Sequence, residues 1–325
     1  MNIIRIIIAI SIILTSCKQN NYKINISKDA TKVSVNRYDL DIMQINTDNI
    51  SDELTNLSSK YEVFLGKSPA DNIQGMQRIK SFVDDTVVKS IAEHCTNIFP
   101  KNHSFNRLNR ALNHVEYYYP DFEMPTIYTY ISGFDYEYPV IYNDSLLIIA
   151  LDMYLGDSYE YYMGLGIPRY MIRRFDKEYI ERDCMMEIAN SYNTDEAECS
   201  RLIDWMIYYG KNIEFTKMMI PNISDTCLLG YTAEQLQWCK DNEEMLWRYM
   251  ISNDLLFTTD IMTIHKFIDD GPFTSIFSKE SPASLGRWIG WQIVANYRKN
   301  NDISISELMK MSDSQTILNA SNYRP

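Results

Sequence analysis

Positions 1–17 read MNIIRIIIAISIILTSC, apolar from Ile6 to Leu14 except for Ser11, with a positive charge at Arg5. A helix needs about 20 apolar residues to span a bilayer, so this run is too short. Its layout is that of a secretory signal, residues 1–16. Leu14-Thr15-Ser16-Cys17 closes it in the manner of a bacterial lipobox, which makes Cys17 the predicted lipidation site and first mature residue. Acyl chains anchor firmly when two or more are present. Residues 17–32 are polar and rich in Asn and Lys, and read as a lipidated tether.

From residue 33 to 325 the pattern is that of a packed body. Val33 to Gln44 partly alternates apolar and polar and predicts a short strand, followed by a loop at Asn46-Thr47-Asp48. Ile50–Leu65, Asn72–Ile98 and Phe105–Tyr117 have helical spacing, and Pro100 and Pro120 end two of these segments. Pro125–Ser132, Tyr138–Tyr142 and Ser145–Leu151 are β-branched, aromatic or continuously apolar, with a turn signal at Asn143-Asp144. Three short strands in succession predict a small, mainly antiparallel sheet. Helical spacing returns in Lys177–Tyr192, Glu196–Met219, Thr232–Leu256 and Pro282–Lys299, with shorter segments at Ser304–Lys310 and Ser312–Ala320. Thr232 reads as an N-cap and Ser281-Pro282 as a helix start. The expected architecture is α+β: one mostly helical domain with a small sheet.

Composition narrows the function. A chain of 325 residues buries a substantial core. Its net charge of −12, from 31 Lys and Arg against 43 Asp and Glu, makes it a poor ligand for phosphate backbones, so no nucleic-acid partner is expected. Besides Cys17 the thiols are Cys95, Cys184, Cys199, Cys227 and Cys239, an odd number with no C-x-x-C pair; they read as small buried side chains.

The search for chemistry is mostly negative. There is no phosphate-binding glycine loop, Gly164-Leu165-Gly166 reading only as a turn, and no G-x-S-x-G elbow. The four histidines, His94, His103, His114 and His265, include no i, i+4 pair, so a zinc helix of the H-E-x-x-H type cannot form. Asp183 and Glu187 stand at i and i+4 and place two carboxylates on one helix face. They are candidates for a cleft or a hard-cation site, or equally for an ion-paired face with Arg182 and Arg201. Glu178 and Glu181 read as residues complementing the helix dipole. Asp152 ends an apolar strand beside Tyr154 and Gly156 and is either a site residue or a loop cap. The tryptophans on predicted helices read mainly as core, and Trp288, Ile289, Trp291, Ile293 and Val294 predict a largely buried helix. No catalytic residue, metal ligand or cofactor is assigned.

The blocks VNRYDLDI (35–42), LDMYLGDSYEYY (151–162), MIYYGK (206–211), GYTAEQLQWCKDNEEMLWRYMI (230–251), FIDDGPF (267–273), ESPASLGRWIGWQIVANYRKNN (280–301) and SNYRP (321–325) resemble the gliding-motility lipoprotein GldB family of Bacteroidetes. The resemblance implies an envelope lipoprotein linked to gliding and its associated secretion apparatus, with envelope proteins as partners. The family is also distantly similar to predicted zinc-dependent peptidases, which implies a zincin-like scaffold. On that scaffold the H-E-x-x-H helix corresponds to Asp183-Cys184-Met185-Met186-Glu187, and the following ligand position to Tyr209-Gly210-Lys211. The implied state is a peptidase-like cleft without peptidase chemistry, with Asp152, Tyr154, Asp183, Glu187 and Tyr209 as its candidate binding residues. The expected function is a non-catalytic envelope lipoprotein acting by protein–protein contact. The alternatives are a degenerate or carboxylate-type metallohydrolase, or a peptide- or solute-binding lipoprotein. Lys18-Gln19-Asn20-Asn21 lacks an acidic cluster after Cys17 and favours the periplasmic face over the cell surface.

Overall fold

The computed structural model describes residues 22, 24, 31–194 and 196–325. Cys17 and the signal segment lie outside the described residues. The body is α+β, mostly helical with one four-stranded sheet. Its strands are β1 (Val35–Arg37), β2 (Thr126–Tyr130), β3 (Val140–Asn143) and β4 (Leu146–Ala150), in the order β1-β2-β4-β3.

The sheet is mixed rather than mainly antiparallel. β1 runs parallel to β2 and β2 parallel to β4; only the β3–β4 hairpin is antiparallel. The predicted Asn143-Asp144 turn joins that hairpin, with Asn143 Oδ1 accepting from the Ser145 and Leu146 amides. β4 is thus central, and Leu147 to Ala150 are all buried, as a strand covered on both faces requires. That is why Ser145–Leu151 is a continuous apolar run rather than an alternating one. The segment after β2 carries the chain past the place of β4 to the outer edge, where β3 begins.

Asp152 holds that segment. Its buried carboxylate accepts from the Ser132 amide (2.9 Å), the Phe134 amide (2.8 Å) and the Ser132 hydroxyl. Gly133 and Phe134 both have positive φ, 77° and 67°. Phe134 is a conformation that L side chains seldom adopt, and the carboxylate fixes it. Burial raises the Asp152 carboxyl above the ordinary range, against the lowering effect of the Ser132 and Phe134 amides.

Local signals decide where helices break. The expected helix over Asn72–Ile98 is two, Ile73–Asp84 and Thr86–Ile98, because Asp85 is extended and caps the second through the Val87 and Val88 amides. Thr232 caps Ala233–Asp241 in a box with Gln235, and a second helix, Glu243–Ser252, follows Asn242. Six other helices position the site: α1 (Asn106–Tyr118), α2 (Ile180–Tyr192), α3 (Leu202–Met219), α4 (Asp225–Leu229), α5 (Leu285–Asn300) and α6 (Ile305–Lys310). α5 starts at Leu285, three residues beyond Pro282; the Ser281-Pro282 segment is instead a loop tied back by Thr274.

α3 and α5 form the spine. A Cβ on Gly210 would lie 2.5 Å from the Gly290 carbonyl, and one on Gly290 would lie 1.8 Å from the Met206 oxygen. The two glycines therefore let the helix backbones touch. Trp288 and Trp291 are buried on α5, as the pattern predicts. Near its end, Glu214 of α3 is fully buried and accepts from Trp291 Nε1 (2.9 Å), Arg298 Nε (2.7 Å) and the Tyr22 hydroxyl (3.3 Å). A separate small core of Ile42, Leu54, Tyr61, Leu65 and Val83 serves the N-terminal helices.

Candidate functional site

α2 lies along the edge strand β3 on one side and against α3 on the other. Asn190 of α2 and Asn212 of α3 are bonded at 2.7 Å, and Asn193 donates to Asn212 at 2.7 Å, so the two helices are fixed side by side. The loop after the short helix Arg169–Ile172 and the start of α5 complete a cleft over α2. It has an inner cavity of about 210 Å³ and an adjoining outer one of about 560 Å³. Arg174, Arg182, Glu187, Tyr209, Asp270 and Arg287 belong to the walls of both.

Of the five residues singled out in the sequence, four meet here. Asp183 accepts from the Tyr154 hydroxyl (2.9 Å) and from Arg182 Nη1 (2.7 Å), so both of its oxygens are engaged. Glu187, one turn on, stands in the same cleft. Burial raises its carboxyl above the usual range, helped by the Asp183 charge and opposed by Asn190 and Arg182. Tyr209 lies under the Arg287 guanidinium, 4.1 Å from ring centroid to Cζ. Asp152 does not join them: it borders neither cavity, and its side chain is the loop anchor described above. Cys184, where the peptidase resemblance places the general base, is fully buried, and burial pushes its thiol well above the ordinary value. Glu181 is likewise buried rather than a solvated dipole partner, 3.5 Å from Arg107.

The sequence pointed to Arg182 only as an ion-pair partner, and to none of the other arginines of the cleft. Arg173 and Arg174 follow a four-residue helix, Arg182 is on α2, and Arg287 is in the first turn of α5. Two are matched by acids, Arg182 by Asp183 and Arg174 by Asp270 at 2.8 Å. Burial alone raises Asp270, but Arg174 and Arg287 hold it down at about 2. Gly230 seals one wall. It ends α4 at φ 69°, and a Cβ there would lie 2.8 Å from Arg174 Cδ. Its carbonyl accepts from Arg173.

Among the described residues no three His, Cys, Asp or Glu side chains are grouped so as to hold a metal ion. The five described cysteines are free thiols. No described helix is long and apolar enough to cross a membrane.

The family model described as Gliding motility protein GldB matches residues 19–325, the whole of the described body. The chain belongs to the GldB family. No curated protein and no solved structure matches it. Membership makes this a gliding-motility-associated lipoprotein family member, and the cleft is a feature of a GldB-family body.

Proposed function

We propose that this GldB-family chain is a non-catalytic envelope lipoprotein. It is anchored by lipid at Cys17 on the periplasmic face and works through contacts with other envelope proteins of the gliding or associated secretion machinery. The family match over residues 19–325 is the observation that carries this reading. The chemistry of the cleft supports it. Asp183 is ion-paired with Arg182 and bonded by the Tyr154 hydroxyl, and no imidazole borders either cavity. The zincin-like descent of the scaffold belongs to the same proposal: a cleft kept after its chemistry was lost.

The test is elemental analysis of the purified full-length protein after dialysis, with a broad peptide-cleavage screen. The expected result is sub-stoichiometric zinc and no cleavage. Stoichiometric zinc, or cleavage abolished by Glu187→Ala, would establish the metallohydrolase alternative instead.

A further inference from the structure

The inner cavity of the cleft holds more positive charge than its own acids match. Arg174 and Arg182 have carboxylate partners, Asp270 and Asp183. Arg173 and Arg287 have none: no carboxylate lies within salt-bridge distance of either among the described residues. The Arg173 side chain is bonded only to the Gly230 carbonyl. The Arg287 side chain forms no hydrogen bond to any described residue, and its guanidinium lies over the Tyr209 ring. The Nε atoms of both are buried and without a hydrogen-bond partner. Unsatisfied buried donors on cations are rare and unfavourable, and a ligand is one of the standard reasons for them.

This concentration of guanidinium groups occurs in a chain of net charge −12, so it is not a by-product of a basic surface. Of the two acids on the cavity wall, Asp270 is ion-paired with Arg174, and burial raises the Glu187 carboxyl above its ordinary range. The Tyr209 ring steadies the Arg287 guanidinium, whose two Nη atoms carry no hydrogen bond to a described residue, the pair of donors that suits two parallel bonds to a carboxylate. Met186, Ile213, Leu228 and Leu229 give the wall an apolar part, beside the polar Asn190, Asn212 and Gln235. The inner cavity, about 210 Å³, has room for one carboxylate and one medium side chain. The outer cavity continues from it past Pro139 and Val140 beside the edge strand β3, giving a chain a way out.

We propose that the inner cavity receives a free α-carboxylate, bound by Arg287 and Arg173, with the adjoining apolar side chain against the Met186–Leu228 wall. The favoured source is the C-terminal residue of a peptide whose chain leaves through the outer cavity; a free apolar amino acid carries the same chemistry. This rests on the binding reading of the cleft and not on the envelope contacts, which are decided by co-purification.

Isothermal titration of the full-length protein in detergent tests it, with acetyl-Ala-Leu, its C-terminal amide, free leucine and inorganic phosphate as probes. The acid should bind at least about 10-fold more tightly than the amide. Arg287→Gln and Arg173→Gln, on separate elements, should each weaken the acid by about 10-fold or more, while the exposed control Arg78→Gln leaves it unchanged. Thermal melts of each variant identify any that fail to fold, and either arginine suffices for the comparison. Tighter binding of the dipeptide than of leucine supports the peptide source, and equal binding supports the free amino acid. Equal affinity for acid and amide, binding of phosphate alone, no binding of any probe, or folded arginine variants that bind as wild type would each overturn the proposal.

Discussion

Lys211 shows how little a residue's type says about its place. It is 1% exposed, and its ammonium donates to Thr194 Oγ1 (3.2 Å) and to the carbonyls of Met309 (3.1 Å) and Met311 (2.7 Å), closing the end of α6. Burial lowers its pKa from the ordinary 10.5 to about 8. Between those values the unfolded chain keeps a proton that the folded chain has released, so this group's contribution to stability rises with pH, by at most about 1.4 kcal/mol per unit. Denaturant titrations of wild type and Lys211→Met should therefore diverge in favour of wild type from pH 8 to pH 10; a constant difference would contradict the burial argument. The comparison cancels the tyrosines, which titrate in the same region. Residue-scale roles were only partly legible. The i, i+4 spacing brought Asp183 and Glu187 to one cleft, but Tyr209-Gly210-Lys211 reads alike for three residues with separate tasks. Tyr209 supports Arg287, Gly210 admits α5, and Lys211 caps α6. Only the packing partners distinguish them. Asp152 likewise carries no mark in the sequence to tell a loop anchor from a site.

Between elements, the contact of α3 with α5 sets the cleft, because it places Tyr209 and Arg287 in register. Gly290→Ala would put a methyl 1.8 Å from the Met206 carbonyl oxygen, a backbone atom that a helix cannot readily move. We expect a loss of about 3 kcal/mol, at the upper end of overpacking effects. Trp291→Ala should lose about 3–5 kcal/mol, since the ring is 7% exposed and bonded to Glu214. Chemical denaturation measures both, and a loss under about 1 kcal/mol for either would mean that the spine is looser than described. The long helices were legible, since a 3.6 period survives in an amphipathic segment, but the helix Tyr38–Ile42 lies within the expected strand and Ile261–Ile268 was not expected. Their breaks needed closer reading: Asp84-Asp85-Thr86 carries its own cap. Strand order was not legible. A hairpin and a parallel crossover both read as short apolar runs, and only the burial of β4 on both faces reveals its central position.

For the whole molecule, the arginine cleft was invisible in the sequence because its members come from three separated segments and become neighbours only on folding. The N-terminal anchor rests on the sequence pattern alone, since Cys17 lies outside the described residues. Cys17→Ser should leave an unprocessed chain that no longer partitions with membranes as wild type does; unchanged migration and partition would remove the anchor from the account. Tyr22 is bonded to Glu214. With lipid at Cys17, five residues away, chain length alone would keep the Tyr22 backbone within about 17 Å of the anchor point.

The central claim is that the protein works by contact and not by catalysis. Its most direct test is quantitative mass spectrometry of the tagged full-length chain, cross-linked in cells and purified from envelopes, in parallel with Asp183→Asn/Glu187→Gln. The account predicts that the same envelope proteins are enriched with both, over an unrelated tagged lipoprotein. Enrichment of no envelope protein with the wild-type chain would contradict it.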